Sequence, residues 1–308
     1  MNTEPLFTIF TATFNRKHLL PRAYESIRSQ TFRDFEWLII DDGSTDGTEE
    51  LVKTWQSEAS FPIIYKWKPN GGKHTAFNMI GEMARGKLVA PLDSDDEMVT
   101  EALERYKFHW DQLSPEEQDR VGCIICLSKH QDGNIAGDRF PEDKQIVDLM
   151  RMSIVKKIKG EKGGILNSKV FKMYPYPEHI RNVYIPEEVF QQKLSKNWKA
   201  LCINEVLRIY WVDKRDDHDG ERIFTKENYP GNQLLHLAYL NYTMRLFWNA
   251  PRLFFANAVY YVKLSFHLGQ GLKAQYKNIH TFSGRLLWLT ALPPGFLFYI
   301  KDRKAKIK

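Results

Sequence analysis

Three carboxylates crowd into four residues at Asp93-Ser94-Asp95-Asp96, directly after the apolar run 88–92. Acids packed together at the end of a buried strand repel one another and lose solvation, so a fold keeps them most readily where a divalent cation neutralises them. A hard ion such as Mg2+ or Mn2+ takes one or two carboxylates and completes its shell with water and phosphate oxygens, which suits a diphosphate substrate. Asp96 has a second reading as a helix N-cap or first-turn acid, but that reading accounts poorly for Asp93 and Asp95. A second acidic pair, Asp41-Asp42, opens the segment DDGSTDGT. Its glycines and one of Ser44, Thr45 or Asp46 read as turn and N-cap residues, whereas adjacent aspartates can accept hydrogen bonds from the N–H groups of a pyrimidine base. Asn70-Gly71-Gly72-Lys73 adds glycines that let a ligand approach the backbone, a helix N-terminus that favours anions, and a lysine for phosphate.

These residues need elements that bring them together. The runs 6–13 (LFTIFTAT), 35–40 (FEWLII) and 88–92 read as buried strands, 63–67 as a further strand, and 16–30, 49–55 and 74–84 carry apolar residues at helical spacing. This alternation predicts a doubly wound, mostly parallel sheet of right-handed βαβ units, which binds ligands beyond the C-terminal ends of its strands. Thr11, Thr13, Asn15 and Arg16, then Asp41 and Asp42, then residues 70–73, then Asp93 to Asp96 all follow such ends, so one edge of the sheet collects them. Further strands are expected at 122–129 and within 165–171. A helix is expected at 187–196, and a strand pair or one long strand at 201–210.

Composition sets the limits. The chain has 308 residues, 43% apolar and 27% charged, enough for one large α/β domain and an appendage. Three cysteines cannot form a dense disulfide framework and fit a reducing compartment; Cys123 and Cys126 lie inside an apolar strand and read as packing residues. The N-terminus lacks a basic n-region, so a cytoplasmic chain is expected. From Gly231 to Lys308 eleven Lys or Arg face the single acid Asp302, a local charge of +10 within a total of +6, which leaves residues 1–230 at −4. Tryptophan, tyrosine, phenylalanine and leucine accompany that basicity, which points to a membrane surface rather than a nucleic acid. The expected domains are therefore 1–220, catalytic, and 221–308, a basic, aromatic-rich helical region.

The motifs TATFNR, IIDDGSTDGT, NGGKHTAFN and LVAPLDSDDEM, in this order and spacing, resemble the inverting nucleotide-sugar glycosyltransferases of family 2, which have the GT-A fold. The resemblance covers roughly residues 5–215. It implies that Thr11, Thr13 and Arg16 line the nucleotide, that Asp41 meets the uracil of a UDP-sugar with Asp42 in support, and that Gly72 and Lys73 contact base or diphosphate. It places Asp93 at the ribose or sugar and Asp95 on the metal, Mn2+ or Mg2+, with Asp93 as a second ligand. Asn15, Asn78, Ser94 and Asp96 belong to the same substrate-binding set. His218, in a charged loop, is a further candidate metal ligand, and Trp211 and Asp213 are candidates for the acceptor side.

An inverting transfer needs a base to take the acceptor hydroxyl proton. The resemblance puts it in Tyr184-Ile185-Pro186-Glu187-Glu188, on Glu187 or Glu188; the alternative is that both are first-turn acids complementing the helix dipole. The expected acceptor is a glycan or lipid-linked glycan at the cytoplasmic membrane face. Two other classes compete: a nucleotidyltransferase, which would show a glycine-rich first loop that residues 11–16 lack, and an inactive glycosyltransferase-like binding subunit. The tail is expected to rest on the inner face of the membrane, on anionic lipid, with its 15-residue apolar stretch 286–300 broken by Pro293-Pro294-Gly295 and too short to span. The same helices could instead join two copies of the chain.

Overall fold

The computed structural model describes residues 4–212 and 225–305. Along the first half run β1 (Phe7–Thr13), α1 (Leu20–Arg28), β2 (Phe35–Asp41), α2 (Thr48–Glu58), β3 (Ile63–Trp67), α3 (Lys73–Met83), β4 (Leu88–Pro91), β5 (Glu97–Met98), α4 (Ala102–Asp111), α5 (Pro115–Arg120) and β6 (Val121–His130). Then come β7 (Gln145–Val147), α6 (Leu149–Ile154), β8 (Lys162–Asn167), α7 (Lys169–Met173), α8 (Glu188–Asn197) and β9 (Lys199–Tyr210). The last part is helical: α9 (Tyr229–Tyr242), a 3-10 turn (Met244–Asn249), α10 (Pro251–His267), α11 (Leu272–Asn278) and α12 (Phe282–Ala305). These elements divide into two compact units, the first of residues 1–148, 158–182 and 198–216, the second of the remainder.

In the first unit the described strands form one sheet in the order β3-β2-β1-β4-β8-β6-β9-β5, with β7 beside β9. The sheet is parallel from β3 to β4, as the alternation of strands and helices predicts. Past β4 the order turns mixed: β8 runs antiparallel to both β4 and β6, and β9 is a single strand parallel to β6. Both faces are covered. On one, Phe7 and Ile9 of β1 and Trp37 of β2 pack with Tyr24 of α1 and Trp55 of α2, whose rings stack at 4.4 Å. On the other, Phe10 points the opposite way, as the two-residue strand period requires, and meets Phe77 of α3 at 5.2 Å. Cys123, Cys126 and Cys202 are buried and free; burial pushes the Cys126 thiol up to about 11 and the Cys202 thiol to about 12, so they are packing residues.

The second unit gathers α6 and α8 with the four C-terminal helices. This division differs from a simple boundary at 220, because segments 149–157 and 183–197 contribute packing faces to the helical part: Met150 and Ile154 share a cluster with Tyr239, Leu246 and Phe254. A second cluster joins Leu240, Tyr261, Val262, Ile279, Trp288 and Ala291. Phe254, Tyr261 and Trp288 are therefore core residues and not lipid-facing ones. Pro293 and Pro294 do not break the apolar stretch either; both lie inside the 24-residue α12. Each removes one backbone hydrogen bond. Gly295, next to them, brings α12 so close to α10 that an added Cβ would lie 2.6 Å from Val262. Among the described residues no helix is long and apolar enough to cross a membrane.

Candidate active site

The parallel strands end level with one another, and their loops are tied together. Thr13 is opposite Asp41, the Asp42 N–H donates to the Thr13 carbonyl at 2.8 Å, and the Leu92 N–H donates to that of Phe10 at 2.8 Å. Asn15, left-handed at φ 53°, bridges the first two loops: its N–H donates to Ser44 Oγ and its Oδ1 accepts from the Thr45 N–H, both at 2.8 Å. Asparagine tolerates that backbone better than most residues. The loops after β1, β2, β3 and β4 thus form one connected rim in the first unit.

Asp41 and Asp42 order this rim. Asp41 Oδ1 accepts from the N–H groups of Gly43 at 3.1 Å and Ser44 at 2.7 Å, and Oδ2 accepts from the Tyr65 hydroxyl at 2.6 Å. Burial and this carboxylate together raise the Tyr65 phenol well above its ordinary range. Asp42 accepts from the Gly71 and Gly72 N–H groups at 2.9 and 2.7 Å and pairs with Lys68. Gly72 sits at φ +95° and Gly43 at +97°, so the glycines supply turns that other residues adopt only with strain. Thr11 is turned into the core, where its hydroxyl accepts from Trp37 Nε1 at 3.0 Å. Thr13 is also buried, yet its Oγ1 has no hydrogen-bond partner within the protein.

The acidic cluster is held by four cations. Lys73 Nζ lies 2.7 Å from Asp93 Oδ1, Arg208 Nη2 2.5 Å from Asp93 Oδ2, and Arg16 Nη1 2.9 Å from Asp95 Oδ2. Arg16 also reaches Ser94 Oγ at 3.4 Å, and Arg22 donates to the Asp95 carbonyl at 2.7 Å while lying over the Trp211 ring. Asp96 is enclosed: Arg208 Nε donates to Oδ2 at 2.7 Å and the Trp211 N–H to Oδ1 at 3.0 Å. Burial would raise the Asp93 carboxyl, but Lys73 and Arg208 overcome it and hold it well below the usual range. For Asp96 burial prevails over Arg208, and with Asp93 adding to it the carboxyl is pushed up to about 6.

Arg208 was not legible as a site residue. Its signal was a charge inside the apolar alternation of β9, where a buried cation demands an acidic partner. The structure brings Asp93, Asp95, Asp96, Arg16, Lys73 and Gly72 together and adds Arg22, Arg208 and Trp211. Asn78 goes elsewhere: its side-chain amide binds both backbone groups of Tyr176, at 2.8 and 3.0 Å. His218 and Asp213 lie outside the described residues.

Among the described residues no group of three His, Cys, Asp or Glu is arranged to hold a metal ion. Two acids suffice for a hard ion that takes its other ligands from water and phosphate. Asp93 and Asp95 have side chains 38% and 25% exposed, against 1% for Asp96, so they form the pair that fits.

Glu187 and Glu188 belong to the second unit. Glu188 opens α8 and accepts from the Tyr239 hydroxyl at 2.6 Å and from Gln192 Nε2 at 3.3 Å, whereas Glu187 is exposed. The Tyr239 bond fastens α8 to α9.

Comparison with known proteins agrees with this architecture. Residues 8–115 match the family model Glycosyl transferase family 2. An uncharacterized glycosyltransferase of Methanocaldococcus jannaschii is 24% identical over 266 residues, 86% of each chain. The GalNAc(5)-diNAcBac-PP-undecaprenol beta-1,3-glucosyltransferase of Campylobacter jejuni is 27% identical over 219 residues, 69% of this chain and 66% of the relative. Among solved structures, S. aureus TarS 1-349 in complex with UDP-GlcNAc superposes with a TM-score of 0.61 at 17% identity, over 93% of this chain and 79% of TarS 1-349. Mannosyltransferase PcManGT from Pyrobaculum calidifontis, in complex with GDP-Man and Mn2+, gives 0.57 at 16% identity, over 97% and 84%. The shared architecture is the GT-A fold. With its four strand-end motifs on one rim of that fold, the chain is similar to glycosyl transferase family 2, whose model matches its residues 8–115.

Proposed function

We propose that the chain is an inverting glycosyltransferase that moves a sugar from a nucleotide diphosphate, a UDP-sugar, to a glycan or lipid-linked acceptor. The observation that carries this reading is the pairing of Asp93 and Asp95 with Lys73 and Arg16 at the ends of parallel strands. Such a site offers acids for Mn2+ or Mg2+ and cations for a diphosphate within one rim. Asp95, with Asp93, would hold the ion, which when bound neutralises charge developing on the leaving diphosphate. Lys73 and Arg16 bind and orient the phosphates, Asp41 and Asp42 keep the base-side loop in shape, and Thr13 Oγ1 offers a buried hydroxyl to the nucleotide.

Glu187 takes the proton of the acceptor hydroxyl as that oxygen attacks the anomeric carbon from the face opposite the nucleotide. Its exposure suits that task, while Glu188 is engaged by Tyr239. The Campylobacter relative is named for a polyprenyl-diphosphate-linked acceptor. A membrane-borne acceptor would also account for the surface of the second unit. Phe282, Leu286, Leu289 and Phe296 line one face of α12, all exposed; Trp248 is 87% exposed, and Lys301, Arg303 and Lys304 follow in the last turns. Insertion of that face into an anionic cytoplasmic leaflet uses both features.

The test is a thermal-shift panel of nucleotide sugars with Mn2+, since a ligand of the native state raises the melting temperature by mass action. The reading expects a UDP-sugar to give the largest shift; no shift with any nucleotide sugar would overturn it.

A further inference from the structure

The motif residues His74 and Asn78 stand one helical turn apart on α3, and both turn away from the acidic cluster toward the segment 174–182. Asn78 Oδ1 accepts from the Tyr176 N–H at 2.8 Å and its Nδ2 donates to the Tyr176 carbonyl at 3.0 Å, a two-point grip on one peptide unit. His74 Nε2 lies 2.6 Å from the Ile180 carbonyl. A carbonyl only accepts, so Nε2 carries the proton. Burial depresses the imidazole's proton affinity and His74 Nδ1 is buried without a partner, which together keep the ring neutral. A third tie comes from the backbone: the Asn182 N–H donates to the Gly71 carbonyl at 3.1 Å. The ring of Tyr176 packs edge-on to Phe77 and faces His74.

Four backbone groups spread over seven residues are therefore captured by one helix and the turn that precedes it. That turn is the one whose Gly71 and Gly72 N–H groups hold Asp42 and whose Lys73 reaches Asp93. Segment 174–182 leads in sequence to Glu187, five residues after Asn182. The geometry points to His74 and Asn78 as positioning residues that strap segment 174–182 to the donor-side turn and so fix the point from which the chain runs to the base. The role rests on the glycosyltransferase reading, and it touches neither donor nor metal.

The experiment compares H74A, N78A, H74Q and N78D with wild type in three readouts: kcat for sugar transfer, the dissociation constant of UDP, and trypsin cleavage after Arg181. A displaced catalytic segment costs about 10- to 100-fold in kcat. H74A, N78A and N78D are expected to lose that much, to keep UDP affinity within about twofold of wild type, and to be cut faster after Arg181. H74Q, whose amide can still donate to Ile180, is expected to recover most of the rate. If the alanine variants do not fold, H74Q is set against H74N, whose shorter amide cannot reach. Unchanged kcat and cleavage in all variants would overturn the strap, as would UDP affinity falling in step with kcat/KM. A wild type that neither binds UDP nor transfers sugar would count against the functional reading alone, because the cleavage comparison still judges the strap.

Discussion

Arg208 and Asp96 are 112 residues apart in sequence, yet Nε of the arginine lies 2.7 Å from Oδ2 of the aspartate, and the same guanidinium also reaches Asp93. One buried cation thus fixes two of the three acids, which leaves Asp95 as the acid of the cluster not bound to it. Removing one partner of a buried pair leaves an uncompensated charge and costs about 3–5 kcal/mol. Arg208→Met is expected to destabilise by that order in urea unfolding. Arg208→Lys, which cannot bridge both acids, is expected to recover only part of it.

Glu205 on β9 takes both arms of Arg105, at 2.7 and 2.8 Å, and also pairs with His109. Arg105 is the main cause, with His109 adding and burial opposing, of a carboxyl lowered to about 2. A depressed carboxylate contributes stability that is present above its unfolded value and lost as pH falls through the folded one. Glu205→Gln should therefore be less stable than wild type at pH 7, with the gap narrowing below about pH 4.5. Urea titrations at pH 7, 5 and 4 check this.

The two adjacent acids Glu187 and Glu188 are expected to separate by role. Glu187→Gln is expected to lower kcat by about 10²–10⁴-fold with the UDP dissociation constant nearly unchanged. Glu188→Gln and Tyr239→Phe both break the 2.6 Å bond between α8 and α9, so they should lower the melting temperature by similar amounts and not add in the double variant. Steady-state kinetics and melting curves distinguish the two.

Membrane association is best tested with point variants. A chain cut at Pro230 would strip α6 of the cluster it shares with Tyr239 and Phe254, and α8 of the Tyr239 hydroxyl that donates to Glu188. Full-length protein is expected to float with anionic vesicles in low salt, and Phe282→Asp/Leu289→Asp or reversal of Lys301, Arg303 and Lys304 should abolish most of this. A dimer in solution that the Phe282→Asp/Leu289→Asp change dissociates, with no flotation of either protein, would mark α12 as a contact between copies of the chain.

Strands β1, β2 and β4 were readable because each is an apolar run soon followed by Asn or Asp, and parallel strands buried on both faces have that pattern; β3, half-exposed, was read from its short apolar start alone. The rim followed from the same run ends. What sequence could not display was partnership over distance. Nothing local marks β8 as antiparallel, Arg208 as the counterion of acids 112 and 115 residues away, or Asn78 as the grip on Tyr176. Aromatic content misled in the opposite direction: Phe254, Tyr261 and Trp288 suit a membrane surface by type, but their positions on facing helices bury them. Pro293-Pro294 read as a break, although both lie inside α12, where Gly295 packs closely on α10.

In the function proposed, Asp95, beside Lys73 and Arg16, serves a divalent cation in sugar transfer from a nucleotide diphosphate. The most direct test of this role is the rate of UDP release from a UDP-sugar with acceptor, measured for wild type and Asp95→Ala across a Mn2+ titration and after exhaustive chelation. Wild-type turnover is expected to rise with Mn2+ and vanish on chelation, and an Asp95→Ala variant to fold normally but turn over at least about 100-fold more slowly at every Mn2+ concentration. Turnover that survives chelation, or an Asp95→Ala enzyme with wild-type rate, would contradict it.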